Sequence, residues 1–189
     1  MSDSSMFEIY KDDLLNDIKS EKKFLSSCKR MLRTSYEYSE WSKYIKFKLG
    51  IDSCAFTNES SEEVTIEIHH HPISVENIIR GIYDKKLLDV TVDVISSVVI
   101  VGEAIRLHLE NRIGYIPLVT TLHEKFHNGF LSIPIEYVSG NWNYLLEKYT
   151  YSKEAMEVID RYKSINKFNN PYSGWLVMTE NQYLTEHTG

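Results

Sequence analysis

The sequence predicts an α+β fold, organised as a mainly helical single domain with a small amount of sheet. The chain has 189 residues, 42% of them apolar, which suits one domain with its own core. Apolar residues recur at helical spacing along much of the chain. One segment, residues 64–68, instead alternates between apolar and polar residues, as a half-buried strand does.

Composition excludes several classes of protein. Two cysteines are too few for a disulfide scaffold or a four-cysteine zinc module. With only 8 glycines and 4 prolines, the chain is not collagenous, low in complexity or wholly disordered. We expect no signal peptide, because residues 1–10 lack a basic segment followed by an apolar one, and no apolar run is long enough to cross a bilayer. We therefore expect a cytoplasmic protein with reduced thiols and no membrane partner.

Periodicity predicts the elements of the first half of the chain. Apolar residues at helical spacing predict helices over 11–33 and 36–49, and Gly50 suits the C-terminal cap of the second. A hairpin is expected next, with arms at 54–56 and 64–68 and a turn of polar residues between them. Its second arm runs directly into three consecutive histidines.

The second half is predicted to be mostly helical. Ser74 suits the N-cap of a helix over 75–82. Residues 89–111 combine β-branched residues with an apolar helical face, and we predict a helix because the segment is long for a strand. A short helix is expected over 120–127, capped by Thr120 or Thr121 and ended by Gly129. An extended stretch and two helices follow, at 131–138, 142–149 and 153–162, and the tail from 167 is assigned no structure.

The histidines form two groups whose spacing suits a metal centre. At the strand end, the pleat sends His69 and His71 to one side and His70 to the other. His123 and His127 stand four residues apart on the predicted short helix, so both imidazoles project from one face. Such a pair is a common way for a helix to bind one metal ion. Taken alone, each group has a simpler interpretation as polar surface.

Together the two groups resemble the HNH, or ββα-metal, endonuclease motif. The resemblance lies in strand residues 66–68 with His69-His70, and in the later segment 118–128 with its His123-x-x-x-His127 pattern. Cys54 resembles the first cysteine of the zinc knuckle that some members carry. The triplet that begins at His127 is similar to one in small HNH-like proteins of bacteriophages. The resembling region, residues 51–128, is less than half of the chain.

The resemblance implies a fold and a division of the chain. An HNH-like ββα core with a helical insertion is expected over residues 51–138. An N-terminal helical segment, 1–50, precedes this core, and C-terminal helices with a tail, 139–189, follow it.

The resemblance also implies roles for the histidines. His69 and His127 are expected to be metal ligands, and His70 the general base that activates water. His123 either occupies a knuckle position or is a third ligand. The cofactor is expected to be a divalent ion, Mg²⁺, Mn²⁺ or Zn²⁺. The expected activity is the hydrolysis of phosphodiester bonds in nucleic acid. The resemblance also implies that a phage encodes this endonuclease, and its expected location is then the host cytoplasm.

The sequence departs from the family pattern at two places. Thr57 stands where the partner of Cys54 would be, so the zinc knuckle is lost. The family's asparagine, which orients the base, would lie nine residues before His127, where this chain has Leu118. A second hypothesis is therefore an HNH-like fold with weak or no catalysis, acting as a phage accessory module that binds nucleic acid or a host protein. A third is a structural protein whose metal site stabilises the fold.

Charge is distributed unevenly along the chain. The net charge is −6, yet residues 22–48 carry eight basic side chains and only two acidic ones. Basic side chains neutralise phosphates, so this segment is a candidate contact for nucleic acid, DNA rather than RNA; the alternative, which is more common for a run of charges, is a solvated helix face. The residues assigned to this contact are Arg30, Arg33, Lys43, Lys46 and Lys48. Aromatic residues interleave with the lysines, and they either stack bases or, as we prefer for Tyr38 and Trp41, face the core.

Overall fold

Helices dominate residues 8–165, the part of the chain that this computed structural model describes. In chain order the elements are β1 (Glu8–Tyr10), α1 (Lys11–Asn16), α2 (Ile18–Thr34), α3 (Tyr36–Lys43), a π-helical turn (Tyr44–Lys48), β2 (Ile66–His70), α4 (Val75–Leu88), β3 (Val94–Ser96), α5 (Ser97–Leu109), β4 (Tyr115–Val119), α6 (Thr120–His127), a 3₁₀ turn (Ile135–Tyr137), α7 (Asn143–Lys148) and α8 (Lys153–Ser164). The mainly helical α+β class is confirmed. The tail from residue 167 lies outside the described residues, which contain no helix long and apolar enough to cross a membrane.

The first predicted helix is divided in two at Asp17. This residue has an extended backbone, and its carboxylate accepts hydrogen bonds from the Lys19 amide, 2.9 Å away, and the Ser20 hydroxyl, 2.6 Å away. Asp17 thereby caps α2, as short acidic residues commonly do at a helix start. Helix α3 and the π-helical turn together correspond to the second predicted helix. Gly50 follows them with a positive φ of 67°, as its capping role requires.

The hairpin prediction is wrong, because strand β2 has a different partner. That strand pairs antiparallel with β4, in a register that sets His69 opposite Ile116. The segment predicted as its partner instead forms a turn, in which the Cys54 amide donates to the Glu59 carbonyl and the Asn58 amide to the Cys54 carbonyl. Because these backbone groups are used within the turn, they are not available to pair with β2.

Helices α4 and α5 and strand β3 form the insertion between β2 and β4. The predicted N-cap of α4 is confirmed, since the Ser74 hydroxyl accepts from the Asn77 amide at 3.2 Å. The helix continues to Leu88, six residues beyond the prediction. Residues 89–111 are only partly helical, because Val94–Ser96 pairs with β1 before α5 begins at Ser97.

Helix α6 has the predicted bounds but a different start. Neither threonine caps it, since its N-cap position is Val119, and Thr120 uses its hydroxyl to contact Glu67 of β2. Gly129 follows the helix with a φ of 76°, in keeping with its predicted role as terminator. The two predicted C-terminal helices are present as α7 and α8.

One large core joins most of the described elements. It extends from Leu14 of α1 to Ile159 of α8 and so draws on all three predicted segments of the chain. A smaller cluster lies beneath α6 and includes Leu122 and Cys54. Cys54 is 1% exposed there and packs as a small apolar residue, and it belongs to no group of possible metal ligands among the described residues.

Candidate metal centre

Strand β2 sends its histidines to two opposite sides. Side chains alternate along the strand, so Glu67 and His69 project to one side and His70 to the other. The ring of His69 lies against α6, with its centroid 4.9 Å from the His123 ring and 5.2 Å from the His127 ring. The β2–β4 pair and α6 therefore bring together residues that are more than fifty positions apart in sequence.

The three residues His69, His123 and His127, here called the histidine trio, have the geometry of a metal site. One imidazole nitrogen from each lies within 4.8 Å of the other two, and no other such group of three is found among residues 8–165. The Nε2 atoms of His123 and His127 are 2.9 Å apart. Two nitrogens that bind one tetrahedral zinc ion lie about 3.3 Å apart, so small side-chain movements are enough to accommodate an ion.

His69 carries a buried nitrogen without a hydrogen-bond partner. The residue is 7% exposed, and its Nε2 has no partner in the described part of the chain. Burial, followed by the neighbouring His123, lowers the pKa of His69 to about 2. Neutral imidazole is the form that binds a metal ion, and an unsatisfied buried nitrogen is costly unless something binds it.

Glu67 supports the trio from behind. One of its carboxylate oxygens accepts a hydrogen bond from Nδ1 of His123, and the other accepts from the Thr120 hydroxyl at 3.3 Å. A proton held on Nδ1 leaves Nε2 of His123 as an acceptor, which in the metal-free protein accepts from Nε2 of His127, 2.9 Å away. Carboxylate–histidine pairs of this kind orient metal-binding imidazoles and increase their basicity.

The trio is open to solvent on one side. His69 is buried, the side chain of His123 is 23% exposed, and His127 is an exposed residue at the end of α6. Phe126 covers the inner side, with its ring centroid 4.5 Å from that of His69. Desolvation is the main cause that lowers the pKa of His127, and the neighbouring His123 adds to it. A ligand bound by the trio would therefore face solvent from an apolar base.

His70, the predicted general base, lies on the other side of the strand and is not part of the trio. Its Nε2 is 2.9 Å from Nε2 of His108, and its ring stacks on Tyr38 with an interplanar angle of 16°. His108 donates from Nδ1 to the Ala104 carbonyl at 2.7 Å, so its Nε2 accepts and His70 donates. Burial holds the pKa of His70 well below its ordinary value and lowers that of His108 to about 4. We call these two residues the histidine pair.

The five residues predicted to contact nucleic acid differ in whether their charged groups already have an ion-pair or hydrogen-bond partner. Arg30, Arg33 and Lys48 are exposed and form no ion pair within residues 8–165. Lys43 is bonded to Glu40 at 2.7 Å, and half-buried Lys46 donates to the Ile66 carbonyl at 2.5 Å.

Arg33 lies close to the trio. Its positive charge is among the causes that lower the pKa values of His69 and His127. It is thus the predicted contact that the structure places near the candidate metal centre.

Sequence reasoning missed the residues that support the trio. Glu67 stands two residues before His69, so strand alternation alone places it on the same face, and a carboxylate there was a usable signal. Thr120 was interpreted only as a helix cap. The electrostatic effect of Arg33 on His69 and His127 had no sequence signal, because Arg33 lies more than thirty positions before His69.

The fold and this site define a mainly helical α+β protein with a candidate three-histidine centre between a strand pair and a helix. Comparison with protein families then gives a more specific result. Residues 1–184 match the family model described as bacteriophage G278-like virion protein, and the chain belongs to this family. No curated protein and no solved structure matches it.

The family supports a phage origin and makes this a virion-protein family member. The HNH resemblance, nuclease activity and metal binding stay hypotheses. The cytoplasmic location expected from the sequence also stays a prediction.

Proposed function

We propose that this virion-family protein is a metal-dependent hydrolase of phosphodiester bonds in nucleic acid, with its centre at the histidine trio. The observation that carries the proposal is the convergence of three imidazole nitrogens within 4.8 Å at a partly exposed site. A strand pair followed by a ligand-bearing helix also supports the proposal, although the paired strands are β2 and β4 and not the predicted hairpin.

The donor set favours one kind of ion. Three imidazoles suit Zn²⁺ and related transition metals, whereas Mg²⁺ prefers oxygen ligands and keeps several waters. Among Mg²⁺, Mn²⁺ and Zn²⁺ we therefore favour Zn²⁺. When bound, such an ion supplies Lewis acidity, which activates water and polarises a phosphodiester oxygen. Three protein ligands leave room for substrate at the exposed side of the trio.

Three residues around the trio have supporting roles in ligand orientation, water exclusion and substrate binding. Glu67 fixes the ring orientation of His123 through Nδ1, and Phe126 excludes water from the inner side of His69. Arg33 offers an exposed guanidinium near the trio, suited to pairing with a phosphate of the substrate. His70 takes no part in proton transfer at this centre, because its Nε2 forms a hydrogen bond with His108 and its ring is buried.

A cleavage assay tests the proposal. The protein is stripped with chelator, reloaded with Zn²⁺, Mn²⁺ or Mg²⁺, and incubated with supercoiled plasmid and with single-stranded oligonucleotides. We expect metal-dependent cleavage that falls at least about 100-fold in His123→Ala. Glu124→Ala, at an exposed position on the same helix, is the matched control and should cleave normally. Absence of cleavage with every metal, or cleavage unaffected by His123→Ala, would contradict the proposal.

A second candidate function is a structural metal site in the virion. It is favoured by the position of the trio, which ties α6 to β2 above a small apolar cluster. Metal binding then stabilises the fold, as it does in small metal-dependent domains. A rise in melting temperature on adding Zn²⁺, without any cleavage, would support this function over the first.

A further inference from the structure

Three aromatic side chains on and after α3 are exposed to solvent. Tyr36 is 74% exposed, Tyr44 53% and Phe47 69%, although Trp41 on the same helix is buried. Burying an aromatic ring is strongly favourable, so three open rings in one short region indicate a binding surface. We call these three residues the aromatic face.

The three rings share one side of the helix. The buried residues Trp41 and Ile45 mark the core side, and the exposed residues lie roughly opposite them at helical spacing. The π-helical turn closes with the Leu49 amide donating to the Tyr44 carbonyl at 3.1 Å. This wider turn shifts Phe47 relative to an α-helical position, and such turns are frequent at functional sites.

Basic residues border the aromatic face. Lys48 is exposed and unpaired within the described residues, and Lys43 projects beside Tyr36. The bond to Glu40 is the main cause of the raised pKa of Lys43, and the Tyr36 phenol adds to it, which shows that the two side chains are close. Protein–protein interfaces are depleted in lysine, so rings bordered by lysines favour nucleic acid as the partner.

The aromatic face is continuous with the candidate metal centre. Lys46 donates to the Ile66 carbonyl and thereby holds the π-helical turn beside the first residue of β2, three residues before His69. On the other side, the exposed residue Arg33 at the end of α2 lies three residues before Tyr36. A strand of nucleic acid bound on the aromatic face therefore lies next to the beginning of β2, the strand that carries His69.

We propose that the aromatic face binds single-stranded nucleic acid and so selects single strands as the substrate class of the site; this rests on the proposed function. Ring stacking requires base faces that are open, and in a duplex they are covered by neighbouring base pairs. Stacking tolerates any base, so this surface contributes strand selection without strong sequence preference.

Fluorescence anisotropy tests the proposal without catalysis. Fluorescein-labelled dT20, U20 and a 20-base-pair duplex are titrated with the full chain in EDTA. We expect single strands to bind at least about tenfold more tightly than duplex, and the DNA and RNA arms identify the preferred sugar. The triple variant Tyr36→Ala, Tyr44→Ala, Phe47→Ala should weaken single-strand binding by about tenfold for each ring that stacks a base. Tyr10→Ala, which removes another exposed ring (55% exposed) on β1, is the control and should bind normally.

The outcomes separate this proposal from the nuclease proposal. Duplex binding equal to single-strand binding, or an unchanged affinity of the triple variant, would overturn the role of the aromatic face. So would a triple variant that changes only the oligomeric state measured by light scattering, since the face would then contact protein. Binding of single strands through the aromatic face, without cleavage by any metal-loaded form, would support this inference and remove the nuclease function. Circular dichroism of the triple variant should match wild type because the three side chains are exposed.

Discussion

The histidine trio and the histidine pair share one strand but have opposite environments. His69 faces α6 and has an unpartnered nitrogen, whereas its neighbour His70 faces α5 and is bonded to His108. The pair is closed, with both rings buried and each Nε2 satisfied by the other. The trio is open, with a partly exposed edge and nitrogens that converge on one point. The comparison shows that one step along a pleated strand separates a candidate site from a structural contact.

The largest expected effect is the loss of metal binding when the trio is broken. His123→Ala removes one of three ligands and should lower Zn²⁺ affinity at least about 100-fold, measured by competition with a chromogenic chelator. A His70→Leu, His108→Leu double variant should retain the affinity, because the pair lies on the other side of β2. Equal losses in both variants would show that the two groups are not separate.

Acid should destabilise the protein through its buried neutral histidines. The pKa of His108 is lowered to about 4 by burial, so between pH 6.5 and 4 the unfolded state binds a proton that the folded state does not. The stabilising contribution is therefore fully present above pH 6.5 and is lost as the pH falls towards 4, by up to about 3 kcal/mol for this residue. Urea unfolding at a series of pH values, in EDTA, measures the slope. The double leucine variant should show a shallower slope, and an equally steep slope there would exclude the pair as a cause.

A smaller effect is expected when only one member of the pair is replaced. His108→Leu leaves the Nε2–H of His70 buried without an acceptor and should cost about 1–3 kcal/mol of unfolding free energy. Replacing both histidines by leucine removes the unpaired donor and should recover part of this loss. Urea unfolding of the two single variants and the double variant gives the coupling energy. Strictly additive losses would show that the hydrogen bond does not hold the two residues together.

The smallest of these effects concerns the residue behind the trio. Glu67→Gln keeps the size of the side chain but replaces the charged carboxylate, which accepts from Nδ1 of His123, with a neutral amide. Zn²⁺ affinity should fall about tenfold while the melting temperature of the metal-free protein stays close to that of wild type. Chelator competition and thermal unfolding measure the two quantities. An unchanged affinity would remove Glu67 from the support of the site.

Local patterns in the sequence predicted most helices and the members of the trio, but not how the strands pair. The spacing of His123 and His127 determines that both rings share one helical face, and this needs no tertiary information. The partner of β2 was predicted wrongly, because a nearby arm at 54–56 and the distant β4 present similar short apolar runs. The buried run of β4 has no alternation to mark it as a strand, which is usual where both sides are covered.

By itself, the sequence determined that His69 and His70 face opposite sides, that α6 presents two imidazoles together and that the chain folds around one main core. These are consequences of periodicity and composition over a few residues. Only the tertiary structure decided which side of β2 meets α6, that Glu67 pairs with His123, and that His108 forms a hydrogen bond with His70. Those contacts join residues tens of positions apart, and they depend on burial and hydrogen-bond satisfaction across the whole core, which no local pattern contains.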